Sequence, residues 1–370
     1  MKKFGVYLHV PFCASKCAYC DFVSGVYGED VKKAYFAALS GDITRFAERN
    51  ANDRTVTSIY IGGGTPSSVD AHYLTDVLGL IGRSFVISSD CEITTEANPE
   101  SLTREKAEAY ARAGVNRISI GMQSASDEVL ARIGRAHTSE RFVRAAEIAT
   151  AAVGNVSADV MLALPGQTMS DVENAVRLLS EAGMSHISVY SLKVEEGTPL
   201  QKSGYVPDED AAADMYSLAR SLLEERGYKG YEVSNFAQPG KECLHNVGYW
   251  DRSEYIGFGV SAHSFYDDTR FAVTSDLTAY LGGVRVTEKH YIPPESDEAA
   301  EETIMLALRT SRGLDLSAFR RKFGRDPIAG KESGLALLRR EGLVSLTDDR
   351  LSLTPKGLYV MNEIIVRLAF

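Results

Sequence analysis

HVPFCASKCAYCDF, residues His9 to Phe22, decides the reading of this chain. Cys13, Cys17 and Cys20 are separated by three residues and then two, so one short loop can wrap three thiolates around one inorganic centre. A closed zinc site takes four ligands, and a ferredoxin-type cluster is held by four cysteines. Three cysteines around a cubic iron–sulfur cluster leave one iron open to a small molecule. On spacing alone, zinc with Cys91, Cys243 or His9 as fourth ligand stays open, and so do unrelated buried thiols. Chance clustering is disfavoured, because the chain has 5 Cys in 370 residues and three lie in this loop.

Outward from the loop, short apolar runs alternate with helical patterns. Strands are read at Phe4–Val10, Ser58–Gly63, Glu92–Pro99, Asn116–Gln123, Val156–Gly166 and His186–Leu192, with helical spacing between them. Such a row predicts a parallel sheet with helices outside it. GGGTP, EANP, GMQS and LPGQT all fall at the ends of strands, where a (β/α) barrel builds its site. The fold class expected is therefore α/β: a partial (β/α)6 TIM-type barrel over residues 1–200. An extension follows over 201–290, with a strand at Tyr231–Ala237 entering a loop rich in Gly, aromatics and His. Residues 295–370 read as a small winged-helix-like α+β module, three helical patterns followed by the hairpin alternation of LVSL and RLSL.

Hydrophobic residues at 44% and charged residues at 24% describe an ordinary globular chain. The net charge of −10 argues against nucleic acid as a partner. A winged helix can read DNA, but residues 295–370 carry 12 basic and 12 acidic side chains, without the basic footprint DNA binding needs. An odd number of cysteines without a framework suits a reducing compartment. The opening MKKFGVYLHVPFC lacks the apolar core of a secretory signal, and no run reaches a membrane span. A cytoplasmic protein without an integral membrane segment is expected, with peripheral membrane contact left open.

The CxxxCxxC loop after the first strand, with Tyr19 just before the last Cys, and GGGTP at Gly62–Pro66 together resemble the radical S-adenosylmethionine (SAM) enzymes. The resemblance covers about the first two hundred residues. It implies a 4Fe–4S cluster on Cys13, Cys17 and Cys20, and SAM chelating the open iron through its amine and carboxylate. The cofactor then supplies the hard chemistry, and the protein supplies orientation. Carried over residue by residue, it implies SAM contacts from Tyr7, Tyr19, Gly63, Gly64, Thr65 and Glu96. Gln123, Arg135 and Asp159 would complete the pocket. Arg135 stands in a charged region, where a solvated surface residue is the plain alternative. Asp159 interrupts an apolar strand, where an unpaired carboxylate is costly and a ligand or cationic partner is expected.

HVPFCxxKCxYCDF, RISIGMQS, LPGQT, YEVSNFA and HNxxYW together are similar to a narrower family, that of oxygen-independent coproporphyrinogen III oxidases and HemW-like heme chaperones. This likeness covers nearly the whole chain. The oxidase branch carries a further Cys two residues after the third cluster Cys, where this chain has Phe22, and an N-terminal arm before a loop that here starts at residue 13. The chaperone branch matches at CDF and at His245, Asn246, Tyr249 and Trp250. That branch implies heme as a ligand and heme-accepting apoproteins as partners, with His245 as axial ligand and also the metal-binding residue for heme. Cys243 and His263 are the alternatives, while His9 more plausibly supports the strand end. The expected function is binding and delivery of heme. The competing reading is radical decarboxylation of coproporphyrinogen III, and a third, an iron–sulfur-sensing winged-helix regulator, is disfavoured by the charge balance.

Overall fold

Alternation along the first six strands sorts their side chains onto two unlike faces. In the computed structural model, which describes residues 2–50 and 54–369, these strands are β1 (Lys2–Val10), β2 (Arg54–Gly63), β3 (Val86–Ala97), β4 (Arg117–Gln123), β5 (Val156–Leu162) and β6 (His186–Ser191). The outermost residues of the expected divisions, Met1 and Phe370, lie outside the described residues. The six strands are parallel and neighbour one another in chain order. A doubly wound sheet reverses its order part-way; this one does not, so crossovers of the usual right hand stack the helices that connect the six strands on one side.

On that side Val6, Leu8, Ile61, Ile118, Ile120, Val160 and Ile187 join helix residues such as Leu39, Ile43, Leu78, Phe142 and Leu179 in one apolar core. Each fully buried aliphatic side chain contributes about 1.5–3 kcal/mol against its unfolded exposure. The helices start where the sequence caps them. Thr168 and Asp171 form a reciprocal capping box for Met169–Glu181, and Gln167 ties its amide to Leu164 N and Met161 O. LPGQT is thus explained by local folding.

The opposite face is polar. Register sets Tyr7 beside Tyr60, Tyr60 beside Thr94 and Thr94 beside Arg117. One layer higher Glu96, Ser119, Ser157 and His186 follow one another, and above them Gly121, Asp159 and Ser188. Barrels commonly fill this space with Val, Ile and Leu. Buried polar groups must instead find partners or a ligand.

The later chain departs from the sequence reading. Of Tyr231–Ala237 only β8 (Asn235–Ala237) is strand, antiparallel to β6, with β7 (Lys229–Gly230) outside it. The expected loop contains the helix Leu244–Trp250, then β9 (Glu254–Phe258) and β10 (His263–Tyr266). β9 runs parallel to β1 and adds a seventh parallel strand. β10, β11 (Thr269–Val273) and β12 (Val286–Tyr291) extend the sheet antiparallel, to twelve strands with β12 and β7 as its open edges.

Helices Asp297–Ala307, Leu316–Phe323, Glu332–Arg340 and Met361–Ala369 surround a small sheet of β13 (Leu314–Asp315), β14 (Val344–Leu346) and β15 (Arg350–Leu353). They share a separate apolar cluster built on Leu314, Phe319, Leu335, Val344, Leu351 and Ile365. Arg252–Glu302 and Arg312–Asp251 ion pairs join this part to the barrel. Among the described residues no helix is long and apolar enough to cross a membrane.

Candidate functional site

The cysteine loop is pinned on all sides by backbone hydrogen bonds. Cys13 N donates to Gly25 O, Gly25 N to Pro11 O, Ala18 N to Ile133 O, and Leu200 N to Ala18 O, at 2.9–3.0 Å. Lys16 Nζ ties the far side to Phe22 O at 3.0 Å. The His9 ring spans the Val23 carbonyl (2.9 Å) and the Tyr7 hydroxyl (3.1 Å), so His9 does support the strand end.

The loop closes one wall of a cavity of about 440 Å³ at the carboxyl ends of the strands. Cys13, Cys17, Tyr19, Cys20, Gly63, Gly64, Thr65, Glu96, Gln123, Arg135 and Asp159 all line it. Thus all but two of the site residues read from the sequence come together. The exceptions are Tyr7 and His245, which lie deeper in the barrel. Two glycines are dictated by crowding. Gly63 has φ 114°, and a Cβ there would meet the His9 ring at 2.6 Å; at Gly64 it would meet Phe12 O at 2.8 Å.

Donors surround the thiols. Thr65 Oγ1 lies 3.6 Å from Cys13 Sγ, and Arg135 Nη1 3.5 Å from Cys17 Sγ. Asn98 bridges these two, donating to Thr65 Oγ1 (3.1 Å) and accepting from Arg135 Nη2 (2.9 Å). Asn98 went unassigned in the sequence, although EANP was singled out there. Tyr60 did too; its hydroxyl donates to Glu96 Oε1 at 2.9 Å, while Gly63 N donates to Oε2 at 3.1 Å.

Burial, with Asp159 nearby, pushes the Glu96 carboxyl up to about 7 despite those donors. Burial likewise raises Asp159. Two desolvated carboxylates facing one cavity call for a cation. Gln123 Oε1 and Arg135 Nε are buried without a partner among the described residues, and Gln123 sits at φ 67°. Burial also pushes the Cys20 thiol up, a cost that metal ligation removes by deprotonating the sulfur outright. These residues therefore fit a thiolate-bound cluster with an open iron beside a ligand carrying both cationic and anionic groups, as SAM does. The candidate fourth zinc ligands are engaged elsewhere. Cys91 Sγ faces Glu92 O, Cys243 Sγ lies 3.4 Å from Glu92 Oε1, and both ring nitrogens of His9 are used.

The HNxxYW segment sits at the other end of the barrel interior, on the helix Leu244–Trp250. Glu92 accepts from Leu244 N and His245 N at 3.1 Å each, satisfying the first amides of that helix. His245 is 3% exposed. Its Nδ1 bonds Ser58 Oγ at 2.8 Å and its Nε2 bonds Tyr249 Oη at 2.9 Å. Its ring stacks on Tyr60 at 5.3 Å, and Gly5 leaves it space, since a Cβ there would meet Nδ1 at 3.2 Å. Burial, with Arg117 nearby, lowers its pKa to about 3. The residue expected as axial ligand thus offers neither nitrogen to an incoming metal in this conformation. Cys243, the second candidate, is fully buried beside Glu92. His263, the third, is exposed at the start of β10 and lines a cavity of about 600 Å³.

Comparison with known proteins defines the class first. Residues 7–179 match the model of the radical SAM superfamily and residues 295–360 that of the HemN C-terminal domain. The chain belongs to the radical SAM superfamily, which implies a 4Fe–4S cluster and SAM. It is 34% identical to the heme chaperone HemW of Mycobacterium tuberculosis, covering 98% of this chain and 94% of that one. It is 35% identical to HemW of Bacillus subtilis, covering 97% of each. Over 98% of its length it is also 32% identical to the bovine mitochondrial radical S-adenosyl methionine domain-containing protein 1, covering 86% of that protein. Within the superfamily, the chain is a member of the HemW family. Coproporphyrinogen III oxidase (HemN) from Escherichia coli superposes with a TM-score of 0.87 at 22% identity, covering all of this chain and 90% of that one. At that identity the likeness is one of fold.

Proposed function

We propose that this protein binds heme and hands it to heme-requiring apoproteins, with a 4Fe–4S cluster on Cys13, Cys17 and Cys20 and SAM held above the sheet. Glu96 and Asp159 receive the cationic groups of SAM, Arg135 and Asn98 orient its polar atoms, and the three-glycine turn lets it approach the backbone. Bound together, cluster and SAM supply one-electron chemistry. The chain's own side chains bind, orient and exclude water.

One observation carries the cargo reading. The cysteine-lined cavity shares Asp21 and Phe22 with the second cavity of about 600 Å³, whose walls combine the rings of Tyr7, Tyr249, Tyr255 and Phe265 with the polar side chains of His263, Arg252 and Arg270. That size suits a large, flat, mostly apolar ligand. Relatives that match the chain end to end bear the name heme chaperone. The intact cysteine loop also supports a second reading, radical decarboxylation of coproporphyrinogen III. Against it, Phe22 stands where the oxidase resemblance puts a cysteine.

The test is hand-off. The anaerobically reconstituted protein is loaded with hemin, freed of excess, and mixed with the heme-free form of a respiratory heme enzyme. Stoichiometric uptake followed by recovery of the acceptor's activity is expected. Absence of heme uptake overturns the proposal.

A further inference from the structure

His263, not the HNxxYW histidine, faces the larger cavity. Resting on the heme-carrier reading, we infer that this cavity is the heme site, with His263 as axial ligand and the heme carboxylates at Arg252 and Arg270.

The geometry gives each part of a heme a counterpart. His263 is exposed, and its ring makes no hydrogen bond among the described residues. An imidazole that donates a lone pair to iron needs that freedom, and His245 lacks it. Tyr7, Tyr249, Tyr255 and Phe265 supply flat apolar walls.

The charge suits carboxylates. Arg252 and Arg270 share one acid, Glu302: Arg252 Nε lies 2.5 Å from Oε2 and Arg270 Nε 3.0 Å from Oε1. Two guanidiniums on one carboxylate leave an unmatched positive charge. Their carbons sit 4.5 and 4.7 Å from the Phe265 ring, one from each residue. The Arg252 side chain is only 7% exposed, yet its Nη2 has no hydrogen-bond partner among the described residues. A buried unpaired guanidinium nitrogen is costly, and a bidentate carboxylate is its natural complement. Among the described residues, Asp21, on the cysteine loop, is the one acid that lines the cavity.

The backbone agrees. Arg252 (φ 55°) and Ser261 (φ 59°), both lining this cavity, hold left-handed conformations without being glycine. Such conformations persist where the surroundings over-determine them, as at ligand clamps. Asp21 and Phe22 line both cavities and join the proposed heme site to the cluster loop.

Hemin titration of the full-length, cluster-reconstituted protein, followed by the Soret band, tests the assignment. For His263→Gly we expect about tenfold or greater weakening and loss of the imidazole-ligated spectrum, with recovery on adding imidazole. His263→Met should shift the band to that of a thioether ligand, and Arg252→Gln should weaken binding while leaving the band in place. His245→Gln, checked for fold by circular dichroism, should keep the wild-type band. If wild type takes up hemin and both His263 variants match it in band and affinity, the assignment is overturned and the carrier reading stands. If wild type takes up none, the carrier reading falls and the assignment with it.

Discussion

The two ends of the barrel interior are built from the same residue types and settled differently. At the lower end, near the start of β1, the helix amides of Leu244 and His245 end on Glu92, and His245 spends both ring nitrogens on Ser58 and Tyr249. At the upper end, Gln123 Oε1 and Arg135 Nε are buried without partners among the described residues, and two carboxylates face a cavity of about 440 Å³. Buried Thr94 Oγ1 and Arg117 Nε also lack partners among the described residues, so the contrast rests on the two features themselves: a histidine with both nitrogens engaged marks a plug, and open polar atoms facing a cavity mark a place prepared for a ligand. The histidines repeat the contrast, His245 enclosed and His263 open.

The largest effect should come from the upper end. Cys17→Ala is expected to abolish iron retention and the visible absorbance of the reconstituted cluster while far-UV circular dichroism is unchanged. Iron remaining at wild-type stoichiometry would contradict the ligand set. Next comes the lower end. His245→Ala leaves the Ser58 and Tyr249 hydroxyls unpaired around a void, and should cost about 3 kcal/mol of stability by urea titration. A change below about 0.5 kcal/mol would deny His245 its role as plug.

Glu96→Gln removes one of the two carboxylates offered to a cation, and about a tenfold loss of SAM affinity by calorimetry is expected, close to 1.4 kcal/mol. Equal affinity would leave Glu96 a mere partner of Tyr60. The gentlest probe is pH. Burial holds His245 at a pKa of about 3 and His186 well below the ordinary histidine range. Below about 6.5 the unfolded chain takes up protons that these folded sites refuse, so stability falls as pH falls. The slope approaches about 1.4 kcal/mol per pH unit for each histidine until the folded pKa is reached. His245→Gln should flatten its share of that slope, and an unchanged slope would mean His245 is not held neutral.

Much of this was legible in the chain. Strand and helix periods announced the six-unit row, and the cysteine spacing with the glycine turn located the upper cavity. The rest depends on contacts remote in sequence. The helix of His245 has seven residues, includes Asn246 and Gly248, and has no side-chain cap of its own, so its sequence reads as loop. Its cap, Glu92, is 153 residues from His245, and Ser58 is 187 away. β9 is short and Gly-interrupted, and only its seat beside β1 makes it a strand. Nothing in the sequence singles out Arg252 and Arg270; Glu302, 50 and 32 residues on, draws them together. A motif names residues, but whether a nitrogen is free is a property of the packed interior.

The most direct measurement divides one anaerobic, cluster-reconstituted sample in two. One half receives SAM and coproporphyrinogen III, and the other receives hemin. We expect no protoporphyrinogen in the first half and saturable, near-stoichiometric heme uptake in the second. Sustained decarboxylation without heme uptake would contradict it.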